Sequence, residues 1–346
     1  MSPSEILAGI RAIESGAVPA SDISDVLLRG RCMAWLKAAY PDRLNPAQSA
    51  LNRIAVRERF RACAPLFGAM DGVPYAVIKG AVLSRDAYGD ECLRASGDID
   101  LLINRRHLDA VKALLLRLGF VQGRITPEGV EPFTRRELIF QNAMSHQTAP
   151  FVKETGNPLC PYVNVDVNLD IFWGEGGHRA DMEEVLSHTL PDSLFGVPFQ
   201  KLSPVYAFLS LCLHHYKDMH SLYLLSEGGW RLDQLCDILY VLKNNPPDMA
   251  ALLDACRVMG AADYLYVCVY YAKRLCPHPA LSACLTALDG VRQRDLTECC
   301  GLNDAERRPW AFSFEERLFD PSFPRRFYES LSAEEKQKVS LNRALM

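Results

Sequence analysis

Strict alternation of apolar and polar residues runs through 162–173, YVNVDVNLDIFW. Val163, Val165, Val167, Leu169 and Ile171 fall on one face, and Asn164, Asp166, Asn168 and Asp170 on the other. A period of two over this length predicts a strand with one buried face. A shorter run, 73–78, is β-branched and aromatic and lies between Asp71-Gly72 and Gly80, which predicts a buried strand. Residues 81–88 then take helical spacing, so the turn at Lys79-Gly80 aims a helix N-terminus, with its free backbone N–H groups, past the strand end. A phosphate suits that position. Residues 98–103, DIDLLI, predict another strand. An amphipathic helix is expected over 105–119, with Leu108, Val111, Leu114, Leu115 and Leu118 inward and Gly119 closing it.

The rest of the chain reads mainly as helix. Helices are expected over 5–14, 23–39 and 47–70, and in the third Arg53, Arg57, Glu58 and Arg59 lie toward the side away from Ile54, Phe60 and Leu66, as a solvated face does. Strands are expected at 138–142 and 151–153, and a short hairpin with a linker between 189 and 203. Ser203-Pro204 is a cap followed by a first-turn proline, and helices are expected over 204–219, 229–243, 248–259, 261–275 and 281–289, with another from 332. The pattern is that of an α+β protein with a small mixed-sheet core. The expected division is an N-terminal helical segment over 1–70, the α/β core over 71–200 and a C-terminal helical domain over 201–346.

Charge narrows the function classes. Lys and Arg number 38 against 42 Asp and Glu, a net charge of −4. No global basic field is present to draw in long nucleic acid. No segment approaches the roughly 20 apolar residues of a membrane span, and the N-terminus lacks a basic stretch followed by an apolar one, so a cytoplasmic protein without a membrane partner is expected. The 12 cysteines form no CxxC pair and are read as reduced core thiols.

Candidate chemistry centres on Asp98 and Asp100. In a strand, residues i and i+2 share a face about 7 Å apart, so these two carboxylates repel each other in an apolar setting unless cations or donors compensate them. A pair of divalent metal ions is the commonest remedy with a chemical use. A third carboxylate on a neighbouring strand would complete such a site, and the alternating strand offers both Asp166 and Asp170.

Lys79-Gly80, Arg94, the run Gly97-Asp98-Ile99-Asp100, the later Asp-bearing strand, His214 and the segment Trp230 to Asp237 together resemble the uncharacterised nucleotidyltransferase family, within the DNA polymerase beta-like nucleotidyltransferase superfamily. The resemblance covers about residues 70 to 245. It implies Mg²⁺-dependent transfer of a nucleoside monophosphate from an NTP, ATP by default, to a small-molecule or protein acceptor, with release of pyrophosphate. Two Mg²⁺ ions would be held by Asp98 and Asp100 together with a third carboxylate. Asp166 is preferred over Asp170 because strand continues on both sides of it; the two lie roughly 13 Å apart and cannot serve one ion pair together. The family shows Asp-Leu-His-Trp here, whereas this chain has Asn168 or Phe172 in place of the His.

The resemblance also implies triphosphate contacts from Lys79 and Gly80, with Ser84 one turn later, and from Arg94 as a clamp on the leaving pyrophosphate. His214 and Lys217, on one helix face, become contacts to nucleotide phosphate, and Asp237 a partner that holds helices together. The alternatives are a phosphotransferase using the same metal site, or a non-catalytic binding protein that keeps the fold.

Overall fold

The computed structural model describes residues 1–94, 96–138, 147–174 and 177–343. They form two compact units. One is Asn45–Ala207, and the other joins Met1–Leu44 to Phe208–Met346. The helix Pro46–Gly68, grouped with the N-terminal helices from the sequence, belongs to the sheet-bearing unit.

That unit is built on an eight-stranded mixed sheet. In chain order its strands are β1 (Tyr75–Ile78), β2 (Ile99–Ile103), β3 (Val121–Thr126), β4 (Gly129–Pro132), β5 (Phe151–Asn157), β6 (Cys160–Asn168), β7 (Thr189–Leu194) and β8 (Val197–Leu202). Their order across the sheet is β4-β3-β5-β6-β2-β1-β8-β7. β2 is central, antiparallel to β1 and parallel to β6. The expected hairpin is β7–β8, turned through Phe195 and Gly196, both at positive φ. The strand expected over 138–142 lies, from residue 139 on, outside the described residues; the one expected at 151–153 opens β5.

One face of β2 and β6 makes the core. Ile99, Leu101 and Ile103 cluster with Val163, Val165 and Val167, and with Val56, Phe60, Cys63 and Phe67 from the helix Pro46–Gly68. The period-two pattern thus sends every polar residue of β6 to the opposite face. β6 is shorter than the alternation suggests, because the strand stops at Asn168. Beyond it the Asp170 carboxylate accepts the N–H groups of Phe172 (2.9 Å) and Ala180 (3.2 Å), a local turn that competes with the sheet ladder. Leu169, Ile171, Phe172 and Trp173 are buried without being strand.

The other unit is helical, apart from a two-stranded pairing of Cys299–Cys300 with Arg308–Pro309. The helix expected over 23–39 is two, Ser24–Arg29 and Met33–Ala39. Gly30, Arg31 and Cys32 separate them, with Arg31 at φ 57°. A Cβ on Gly30 would lie 2.6 Å from the Leu232 side chain, and Gly30 C=O accepts the Asp233 N–H at 3.0 Å, so close backbone approach dictates the break. The helix expected over 229–243 is Leu232–Asn244, preceded by the short Leu222–Glu227. The last fifty residues pack through Arg317, whose buried guanidinium stacks on Trp310 (4.1 Å), Trp230 (4.3 Å) and Tyr271 (4.8 Å). All 12 cysteines are free, and ten of them are buried, as core thiols are.

Candidate active site

β2 and β6 run parallel with Asp100 directly opposite Asp166 and Leu102 opposite Asn168. Strand neighbours sit about 4.8 Å apart with side chains on the same face, so Asp100 and Asp166 stand side by side. Asp98, two residues before Asp100, joins them. Three carboxylates therefore converge on the face away from the Phe60 core.

Burial and mutual repulsion govern their protonation. Burial pushes the Asp166 carboxyl up to about 7, with Asp98 and Asp100 adding to the rise and Lys79 opposing it. Asp98 is also raised, first by burial and then by Asp100, against the pull of Lys79 and Arg59. Asp166 Oδ1 is buried with no hydrogen-bond partner among the described residues. The cluster holds more negative charge than its protein surroundings compensate.

Asp100 is the best-held member. Its Oδ1 accepts from Lys79 Nζ at 3.2 Å and from Asn168 Nδ2 at 3.1 Å. Lys79 reaches it from an unusual backbone conformation, φ 56° and ψ −147°, at the cap of the helix Gly80–Tyr88. The first turn of that helix receives no side-chain cap hydrogen bond. Gly80 has φ 48°, and a Cβ there would come 2.9 Å from Ser96 Oγ, so both conformation and space call for glycine.

Ser84 and Arg94 are joined through the loop that follows the helix Gly80–Tyr88. The buried Ser84 hydroxyl donates to Asp90 C=O at 2.6 Å and accepts the Arg94 backbone N–H at 2.9 Å, so it braces the loop that carries Arg94. Asp170 is held in its own turn, with Arg179 3.9 Å from its second oxygen. His214 and Lys217 belong to the helical unit, where both approach Asp218, at 3.4 Å and 3.7 Å. Asp237 meets His215 at 3.3 Å and ties two helices of that unit.

Two residues at the site were not given a role there from the sequence. Asn168 is the next polar-face position after Asp166, and the alternation alone could have flagged it as a neighbour of the carboxylates. Arg59, read as part of a solvated face, instead donates from Nη1 to Ser96 C=O at 2.7 Å, and Ser96 Oγ donates to Asp98 C=O at 3.1 Å. Its Nε is buried without a partner among the described residues. No sequence signal separates Arg59 from its neighbouring arginines.

No helix among the described residues is long and apolar enough to cross a membrane. No curated protein matches the chain. The family model described as uncharacterised nucleotidyltransferase matches residues 44–277, which takes in the whole sheet with its three carboxylates and the helices that carry His214 and Asp237. With two-thirds of its length matched in this way, the chain belongs to the family of uncharacterised nucleotidyltransferases.

Proposed function

We propose that the chain transfers a nucleoside monophosphate from an NTP, ATP by default, to a small-molecule or protein acceptor, and that Asp98, Asp100 and Asp166 hold the Mg²⁺ ions it needs. The observation that carries this reading is the in-register pairing of Asp100 with Asp166, with Asp98 two residues away on the same face. Three carboxylates offer the all-oxygen donor set that Mg²⁺ prefers. The raised Asp98 and Asp166 carboxyls and the orphaned Asp166 Oδ1 fit a site short of positive charge. Bound there, divalent ions supply charge neutralisation for the triphosphate and acidify an attacking hydroxyl.

The chain's own groups have separable tasks. Lys79 and Asn168 fix the Asp100 carboxylate so that it need not reorganise on binding. Arg59 holds the Asp98 loop through Ser96. The uncapped N–H groups opening Gly80–Tyr88 suit an anion such as a triphosphate, and glycine at position 80 lets phosphate approach the backbone. Arg94, on a loop braced by Ser84, neutralises the leaving pyrophosphate. With Asp170 committed to its turn, Asp166 supplies the third carboxylate.

Isothermal titration calorimetry with NTP tests the binding half of this reading. NTP is expected to bind in the presence of Mg²⁺ and to lose that affinity when Mg²⁺ is omitted or when Asp98 and Asp100 are both replaced by Asn. Binding indifferent to both changes would contradict it.

A further inference from the structure

The helical unit carries a second cluster of ligand-bearing side chains. His214, His215 and Asp218 each offer one ligand atom, and these atoms all lie within 4.8 Å of one another. All three come from one helix, Pro204–His220. His214 and Asp218 are four residues apart and share a face, with Nε2 of one 3.4 Å from Oδ2 of the other.

His215 gives the independent observation. Its side chain is 0% exposed, and its Nε2 is 3.3 Å from Oδ2 of the equally buried Asp237. A carboxylate is only an acceptor, so Nε2 carries a proton, and in the neutral form of the ring Nδ1 is the nitrogen that offers a lone pair. That Nδ1 is buried with no hydrogen-bond partner among the described residues. A buried imidazole nitrogen without a donor is costly unless something accepts its lone pair. A carboxylate behind a histidine whose other nitrogen is free is also the arrangement that orients metal-ligating imidazoles.

We propose that His214, His215 and Asp218 bind a divalent transition-metal ion of the zinc class, with Asp237 orienting His215. Two imidazoles and one carboxylate form a three-ligand set that leaves a coordination position open, as in zinc sites that also take water or a substrate group. Imidazole nitrogen selects zinc over magnesium, so this site is chemically distinct from the all-carboxylate group on the sheet. Asp218 Oδ2 also lies 3.4 Å from Gln234 Nε2, while its other oxygen faces Lys217, so the residue keeps one neutral and one cationic neighbour beside the metal. His214 thereby acts as a metal ligand and not as a direct phosphate contact. The proposal does not depend on the nucleotidyl-transfer reading.

The test is calorimetric titration of the metal-free full chain with Zn²⁺ in excess Mg²⁺. One saturable zinc per chain is expected, retained by the double variant Asp98→Asn, Asp100→Asn. Substitution His214→Ala or Asp218→Asn should weaken it at least about tenfold, and Asp237→Asn by about 10–100-fold. The absorption spectrum of the unmutated chain loaded with Co²⁺ gives a readout independent of whether the variants fold, and intense tetrahedral d–d bands are expected. No saturable zinc, zinc lost only with the Asp98 and Asp100 substitutions, zinc unaffected by His214→Ala and Asp218→Asn, or a weak octahedral cobalt spectrum would each overturn the proposal.

Discussion

Asp98→Asn is expected to lower the rate at which label from an α-labelled NTP becomes attached to an acceptor by at least about a hundredfold, the scale seen when one preorganised electrostatic group is removed from a transition state. Asp100→Asn should do the same, but for a less clean reason. Asp100 pairs with Lys79 while both side chains are largely buried, at 12% and 14% exposure, and neutralising one partner strands the other. Among the described residues Asp98 has no such ion-pair partner; burial and Asp100 raise its charge in energy by more than the nearby Lys79 and Arg59 lower it. Its replacement by Asn relieves repulsion, so the metal-free Asp98→Asn protein should be at least as stable as the unmutated chain, whereas Asp100→Asn should be less stable. Thermal unfolding of both variants alongside the rate measurement separates lost chemistry from lost fold. An Asp98→Asn variant with undiminished label transfer would remove Asp98 from the site.

Asp166→Asn is expected to stabilise the metal-free protein, increasingly so as the pH rises. The carboxyl of Asp166 is raised from 3.8 to about 7 in the folded chain. Below 3.8 both the folded and unfolded states hold the proton, and the group contributes nothing. Between the two values the unfolded state releases it and the folded state keeps it, so stability falls as the pH climbs. Above about 7 the folded state is ionised as well and the full penalty remains, about 4 kcal/mol at most for a shift of this size. Asn carries no proton to lose, so the melting temperatures of variant and parent should coincide in acid and diverge toward alkaline pH, with the variant higher. Added Mg²⁺ should reverse the order, since a ligand that binds only the folded state stabilises it by mass action and the variant has lost a ligand group. A metal-free variant that melts below its parent at alkaline pH would show that the Asp166 charge is compensated after all.

Both expectations start from residues that local periodicity made legible. A period of two placed Asp98 with Asp100, and Asp166 with Asn164 and Asn168, on the polar faces of their strands; the fold keeps Asp100, Asp166, Asn164 and Asn168 there because Ile99, Leu101, Val165 and Val167 fill the opposite face, while Asp98 immediately precedes β2. Periodicity does not mark where a strand stops. The alternation continues through Ile171, yet the strand ends at Asn168, and Asp170 lies in a turn beyond it where its carboxylate accepts backbone N–H groups.

Long-range contacts were not legible at all. Arg59 looks like Arg53 and Arg57 along its helix, and only the folded sheet brings Ser96 under its guanidinium. The break at Gly30 is dictated by Leu232, about two hundred residues away, and the Ser84 hydroxyl is consumed by Asp90 and Arg94 in a loop whose path no local pattern describes. The orphaned nitrogen of His215 likewise depends on Asp237 from another helix.

The most direct test of the central claim follows two labels at once. The chain is incubated with Mg²⁺, a metabolite or protein extract, and NTP labelled either at the α- or at the γ-phosphate, and covalently attached label is measured with mass spectrometry of the acceptor. The account predicts attachment of the α-label with a mass gain of one nucleotide, dependent on Mg²⁺ and lost in Asp98→Asn. Attachment of the γ-label with a gain of one phosphate, or no Mg²⁺-dependent attachment with any NTP, would contradict it.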